Sequence, residues 1–237
     1  MEYKIMTFNL KNDHHQLTRA KAICHIIEHE DADLIGTQEC SYQMVTYFQK
    51  HLKNYMILQD SRSKEHEDDN LILVHKGKFE ILGSGIYSLS SKENIPGTKN
   101  LTSIQPRKLS FVKVKDQKRV FSFYNTHLDF LLTHCKKYQL QVIQKILNQD
   151  TIKDKILVGD FNTTTNKYFQ KFMIRAGLYD IIPDDFGFSF NSRLFRKPID
   201  HILVNPNIIM KDLYKYNISS NEKVSDHYPI LAKVKIN

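Results

Sequence analysis

Apolar runs that stop abruptly at a polar side chain recur from one end of this chain to the other, so any fold it adopts must bring many short core strands to polar tips. The tips are Phe8-Asn9, Gln38-Glu39, Asn125-Thr126-His127-Leu128-Asp129, Gly159-Asp160-Phe161-Asn162 and Ser225-Asp226-His227-Tyr228-Pro229, joined by Ile199-Asp200-His201. Each run reads as a buried strand. A carboxylate in a surface loop costs little, whereas several at the ends of core strands must find partners or a cation.

Strand patterns rich in Ile, Val, Leu, Phe and Tyr are predicted over 3–8, 33–37, 54–58, 71–75, 79–87, 109–114, 120–127, 155–159, 200–204, 208–217 and 229–235. Helical stripes fall between them: Leu17, Ala20, Ile23, Cys24 and Ile27 over 16–29, Val45, Phe48 and Leu52 over 42–52, and Lys136, Leu140, Ile143 and Leu147 over 134–148. A fourth helix is expected over 166–176. Many strands with a few one-faced helices predict an α+β fold in which two sheets pack face to face under outer helices. No repeat or linker divides the sequence, and 237 residues suit a single domain over 1–237. Two aperiodic segments, 60–69 and 88–106 with its Pro96-Gly97, are expected as long surface loops, the second a candidate wall of a substrate cleft.

Composition narrows the function classes. No apolar stretch approaches the roughly 18 residues that a membrane-spanning helix needs. The chain enters its first strand with no basic leader, and its cysteines, Cys24, Cys40 and Cys135, are odd in number and widely spaced; a cytoplasmic protein with reduced thiols is the expectation. A net charge of +8 favours polyanionic partners. Most lysines are scattered, but Arg193-Leu194-Phe195-Arg196-Lys197 gathers basic and aromatic residues just ahead of Asp200, where such a loop could meet a phosphate.

Glu39 follows the apolar start Leu34-Ile35-Gly36-Thr37 with no arginine or lysine beside it, which makes it the first candidate ligand for a hard cation such as Mg²⁺ or Mn²⁺. The structural alternative is a solvated carboxylate. Asn9 offers a side-chain oxygen in the same way, or else forms a turn. In an extended chain Asp160 and Asn162 point to one side, where they could orient and deprotonate an attacking water; alternatively they form an Asx turn. Asp226 and His227 face opposite ways, so Asp226 can reach a metal while His227 faces a phosphate or a second carboxylate. Asp200 is the natural second carboxylate, able to fix the tautomer of His227 and keep it charged. His127 would add another donor to phosphate oxygens.

In order and spacing, these motifs resemble those of the endonuclease/exonuclease/phosphatase superfamily, and the resemblance runs from end to end of the chain. It implies a four-layer αββα sandwich of two mainly antiparallel sheets with the site at one edge. By that resemblance Glu39 and Asn9 bind the catalytic metal and Asp226 completes its sphere. Asp160 and Asn162 position the water or a second metal, Asp200 pairs with His227, and His127 contacts the scissile phosphate. Tyr87-Ser88-Leu89-Ser90, Pro106-Arg107 and His127-Leu128-Asp129 look like a small bacterial branch, in which Arg107 also faces the phosphate. The chain departs from the pattern at Phe130, where a second histidine is common, at Lys136, where arginine is usual, and in lacking tryptophan. Arg to Lys loses bidentate phosphate recognition, so these departures bear on the substrate pocket. Cys40-Ser41-Tyr42 stands where abasic-site endonucleases tend to carry a lysine.

The expected function is therefore a Mg²⁺- or Mn²⁺-dependent phosphodiesterase or nuclease, monomeric, acting on a phosphate ester such as nucleic acid by in-line attack of activated water. Two alternatives stand beside it: a phosphomonoesterase for a small metabolite or lipid headgroup, and a catalytically inactive module that binds nucleic acid or another anion. His25-Ile26-Ile27-Glu28-His29 matches a zinc-peptidase pattern. The helical stripe puts both histidines on the solvated face and argues against zinc.

Overall fold

The computed structural model describes residues 1–237 except 59–68, 96, 101, 193 and 219–223. In chain order the elements are β1 (Glu2–Asn9), α1 (Ala20–Glu30), β2 (Leu34–Cys40), α2 (Tyr42–His51), β3 (Tyr55–Leu58), β4 (Asp69–His75) and β5 (Glu80–Ser88). There follow β6 (Lys108–Lys115), β7 (Val120–His127), α3 (Thr133–Gln149), β8 (Lys155–Asp160), α4 (Lys167–Ala176) and β9 (Tyr179–Asp180). The last elements are β10 (Phe190–Asn191), β11 (Arg196–Lys197), β12 (Asp200–Val204), β13 (Ile208–Lys215) and β14 (Ile230–Ile236). One sheet has the order β13-β14-β1-β2-β4-β3 and the other β5-β6-β7-β8-β12-β9. Each is antiparallel except for one central parallel pair, β1 with β2 and β7 with β8.

Alternation along these strands builds three apolar layers. Ile5, Leu34, Ile72, Val112, Phe123, Ile156, Val158, Ile202 and Val234 point inward and fill the space between the sheets. Their neighbours point out: Met6, Phe8 and Ile35 meet Ile23, Ile27, Val45 and Phe48 of α1 and α2. On the other side Tyr124, Leu157 and Leu203 meet Leu140, Ile143, Leu147, Phe169 and Phe172 of α3 and α4. The result is the αββα sandwich that the sequence resemblance implies.

The strand patterns correspond to β1–β8 and β12–β14, and four helices stand where the stripes place them. Leu17 is a correction: it is exposed, because Leu17–Arg19 winds as a 3-10 turn ahead of α1. There the Arg19 guanidinium is drawn to the carbonyls of Leu10, Lys11 and Val224. The two-residue strands β9, β10 and β11 carry no readable alternation and went unpredicted. Segment 88–106 packs on α3, with Thr102 against Cys135, Ser103 bonded to Gln139 and Glu93 paired with Lys145. The expected loop 60–69 lies, apart from Asp69, outside the described residues, as do Pro96 and Arg193. His25 and His29 are exposed on α1, as the stripe requires. Among the described residues no helix is long and apolar enough to cross a membrane.

Candidate active site

The parallel pairs β1–β2 and β7–β8 run out at one end of the sandwich, where the layer between the sheets turns polar. Gln38 Nε2 donates to Asn125 Oδ1 at 2.8 Å and Thr7 Oγ1 at 3.1 Å, and Asn125 Nδ2 donates to the carbonyls of Thr37 and Leu71 at 2.8 Å each. This amide bridge ties one sheet to the other. Beyond it, register does the assembling: Asp160 is paired with His127 on one flank and with Asp200 on the other, so three polar side chains share one strip of sheet. β7 and β8 approach closely because position 159 is glycine at φ +148°, where a Cβ would lie 2.0 Å from the Thr126 carbonyl oxygen.

Glu39 comes from the opposing sheet. The register of β2 shifts between Thr37 and Cys40, and Glu39 takes a left-handed φ of +57°, uncommon for a residue with a Cβ. Its Oε1 accepts from Asn9 Nδ2 at 3.0 Å, and its Oε2 from the Asn12 amide at 2.8 Å. Asn9 Nδ2 also donates to Asp160 Oδ2 at 3.0 Å, while its Oδ1 accepts from the Lys11 amide at 2.9 Å. Asn9 therefore reaches the carboxylates through its nitrogen. The Asp160–Asn162 stretch is turned, not extended: Asp160 Oδ1 accepts from the Asn162 amide at 2.8 Å and Asn162 sits at φ +49°. This is the Asx-turn alternative, which asparagine tolerates well. It still delivers both side chains to the cleft.

The segment before β14 adds Asp226 and His227. Ser225 Oγ anchors it, donating to the Asn9 carbonyl at 2.7 Å and accepting from the His227 amide at 3.1 Å. His227 Nδ1 donates to Asp200 Oδ2 at 2.8 Å, and its Nε2 lies 3.7 Å from Asp160 Oδ2. Asp226 holds the Lys11 ammonium at 3.4 Å. Glu39, Arg107, His127, Asp160, Asn162, Asp226 and His227 all line a cleft of about 610 Å³. Asp200 sits behind His227. No described residue of 88–106 lines this cleft, which corrects the expectation that the segment forms its wall.

Charge in the cluster is uneven. Burial first, then the neighbouring Asp200 and Glu39, raise Asp160 to about 7 against the help of His227 and the Asn162 amide. Burial alone would lower His227, but the adjacent Asp200, Asp160 and Asp226 carboxylates override it and hold the ring up at about 10. His127 goes the other way: burial, then the charges of Arg107 and His227, push it well below the ordinary histidine value.

Ligand atoms of Glu39, His127 and Asp160 lie within 4.8 Å of one another, as do those of Asp160, Asp200 and His227. A hard divalent cation fits this donor set, because the carboxylates of Glu39 and Asp160 converge there and their oxygens are the ligands such ions prefer. Sequence reasoning missed several residues here. Lys11 carries no signal beyond its nearness to Asn9. Lys136, noted in the helical stripe and as a departure from a pattern, donates to the carbonyls of Asn162 at 3.0 Å and Phe130 at 3.3 Å. Phe190 and Lys197 reach the rim from the β10–β11 hairpin, so the basic run does meet the cleft through Lys197, with Leu194 and Phe195 exposed beside it.

Solved structures share this fold over nearly their whole length. An endonuclease/exonuclease/phosphatase from Bacteroides vulgatus superposes with a TM-score of 0.90 at 22% identity, covering 100% of both chains. A mannosyl-6-phosphatase from Bacteroides thetaiotaomicron gives 0.81 at 23% identity, covering 98% of this chain and 99% of its own. TDP2 of D. rerio, in complex with a single-strand DNA product, gives 0.83 at 16% identity with 99% of each chain covered. Among curated proteins none matches the chain. The sequence pattern of the endonuclease/exonuclease/phosphatase family matches residues 6–227, and the chain belongs to that family.

Proposed function

We propose that the protein is a Mg²⁺- or Mn²⁺-dependent phosphodiesterase or nuclease that hydrolyses its ester by in-line attack of activated water. Its family consists of phosphoesterase hydrolases. The single observation that carries the reading is the convergence of Glu39, Asp160, His127 and His227 on one cleft from elements far apart in sequence, with Asp200 behind His227. Glu39, Asp160, Asp226 and, with its amide turned, Asn9 would hold the cation. When bound, the ion supplies positive charge to the phosphoryl and leaving oxygens.

The chain's own groups do the rest. Asp160 lies where it could take a proton from the attacking water while Asn162 orients that water. His227 stays an imidazolium on Asp200 and offers Nε2–H to charge that builds at phosphorus. Arg107, just ahead of β6, and His127, at the end of β7, line the cleft where the phosphate would sit. Hydrolysis of bis-p-nitrophenyl phosphate tests the proposal: turnover with Mn²⁺ or Mg²⁺ that Glu39→Gln abolishes supports it. Silence with every metal favours the inactive anion-binding module.

A phosphomonoesterase is the second reading. Lys11, Arg107, Lys136 and Lys197 all line the cleft, an abundance of cations that suits a dianionic terminal phosphate. Parallel assays on mono- and diesters decide between the two. With its three cysteines buried as free thiols, the protein suits a reducing compartment, and we place it in the cytoplasm as a monomer. Cell fractionation and size-exclusion chromatography check both.

A further inference from the structure

We propose that Arg107 acts through His127, fixing the imidazole as its neutral Nε2–H tautomer so that it serves the reaction as a hydrogen-bond donor and not as a proton acceptor. The role in turnover rests on the hydrolase reading above; the tautomer itself rests on geometry. Arg107 Nη1 lies 3.0 Å from His127 Nδ1, and both residues are buried. A guanidinium has only N–H donors and no acceptor, so the one state of Nδ1 that it welcomes is a bare lone pair. The proton of a neutral ring must then sit on Nε2.

Around Nε2 the contacts are Asn162 Nδ2 at 3.0 Å, Asp160 Oδ2 at 3.5 Å and Glu39 Oε1 at 3.9 Å. Two donors thus face one neutral ring, and only one of them can adapt. A half turn exchanges the oxygen and nitrogen of the Asn162 amide, at the expense of its 3.0 Å bond to the Leu128 carbonyl, whereas no rotation turns Arg107 into an acceptor. Left unturned, the amide leaves the Nε2 proton directed at the carboxylates. Turned, the amide oxygen takes up the Nε2 proton beside the spot where Glu39, Asp160 and, in the proposed reaction, a phosphoryl oxygen meet, and either way Nε2 carries the proton. His227 supplies the contrast, because its Nδ1 faces the Asp200 carboxylate and so keeps its proton. Two histidines on one cleft are set apart by what lies behind each ring: a donor behind His127, an acceptor behind His227.

The test is long-range ¹H–¹⁵N correlation spectroscopy on the full chain labelled at histidine, without metal and with Mg²⁺, His127 being assigned by its loss in His127→Gln. The expected wild-type pattern is a bare Nδ1 and a protonated Nε2. Arg107→Met should admit the Nδ1–H form to a comparable population and lower kcat on any hydrolysed ester by on the order of 10²-fold, with a smaller change in KM. An Nδ1–H or doubly protonated ring in the wild type overturns the proposal, as does a variant whose spectrum or kcat matches the wild type. If Arg107→Met does not fold, the wild-type spectrum decides alone. A wild type that hydrolyses no ester sinks the hydrolase reading and leaves the tautomer result standing, so the two failures are distinguishable.

Discussion

The side chains of Asp150 and Asp160 are both buried, and they meet the two halves of the same strand, β7, in opposite electrostatic conditions. Beside Ser122 and Tyr124, Asp150 is saturated: Oδ1 faces Lys113 Nζ at 2.8 Å, and Oδ2 accepts from the two hydroxyls at 2.6 Å each. Burial would raise its carboxyl, but Lys113, the two hydroxyls and the Ile152 amide hold it down at about 2. Near His127, burial and then the neighbouring Asp200 and Glu39 carboxylates push Asp160 up to about 7. One half of the strand spends its polar groups on the fold; the other keeps charge in reserve for something absent from the polypeptide.

That contrast predicts opposite consequences for matched substitutions. The largest effect is on turnover: Asp160→Ala or His227→Ala should lower kcat by roughly 10²–10⁴-fold, the range for lost acid–base or charge-stabilising groups, with the far-ultraviolet circular dichroism unchanged. Near-normal rates in either variant would remove the assigned roles. Glu39→Gln should weaken binding of Mn²⁺, followed by calorimetry, by about 10-fold or more, since even partners outside the ligand set are worth 10–100-fold. Unchanged affinity would place the ion elsewhere.

Asp150→Asn should leave turnover intact and destabilise the fold by about 1–3 kcal/mol in urea titrations at neutral pH, because it sets an amide N–H against surrounding donors. The folded carboxyl at about 2 lies below the ordinary 3.8, so its contribution is present above pH about 4 and is lost as pH falls toward 2. The variant should lack that part of the acid limb. Asp160→Asn should do the reverse. With a folded value of about 7 above the ordinary 3.8, the ionised acid is disfavoured by the fold, and stability drops as pH climbs from about 4 to about 7. The metal-free variant should therefore melt above the wild type at pH 8, by about 2–4 °C for each kcal/mol relieved, and saturating Mg²⁺ should reverse the order. A lower melting temperature would mean that the hydrogen bonds to Asp160 outweigh its electrostatic cost.

The sandwich was legible because its strands alternate so regularly: Ile156 and Val158 against Leu157, or Ile202 and Val204 against Leu203, state both faces of a sheet in a few letters. The site was legible where a polar residue breaks such a run, as at Glu39, Asp160 and Asp200. What escaped was contact set by register and by short irregular pieces. Nothing in the sequence says that Lys11 turns onto Asp226, that Lys136 reaches the Asn162 carbonyl, or that Asn9 offers Nδ2 instead of Oδ1. Such choices depend on side chains brought together by the tertiary fold, and no local periodicity encodes them. Over Asp160–Asn162 extended and turned backbones share the same letters, so the sequence alone leaves both open.

Gly159 carries a further consequence. It donates no side chain to the reaction, yet the missing methyl is what allows the chain segments bearing His127 and Asp160 to lie shoulder to shoulder. An alanine there would wedge them apart and leave every reacting group chemically whole but out of reach of its neighbour. An inventory of acids and histidines would count such a protein as fully armed.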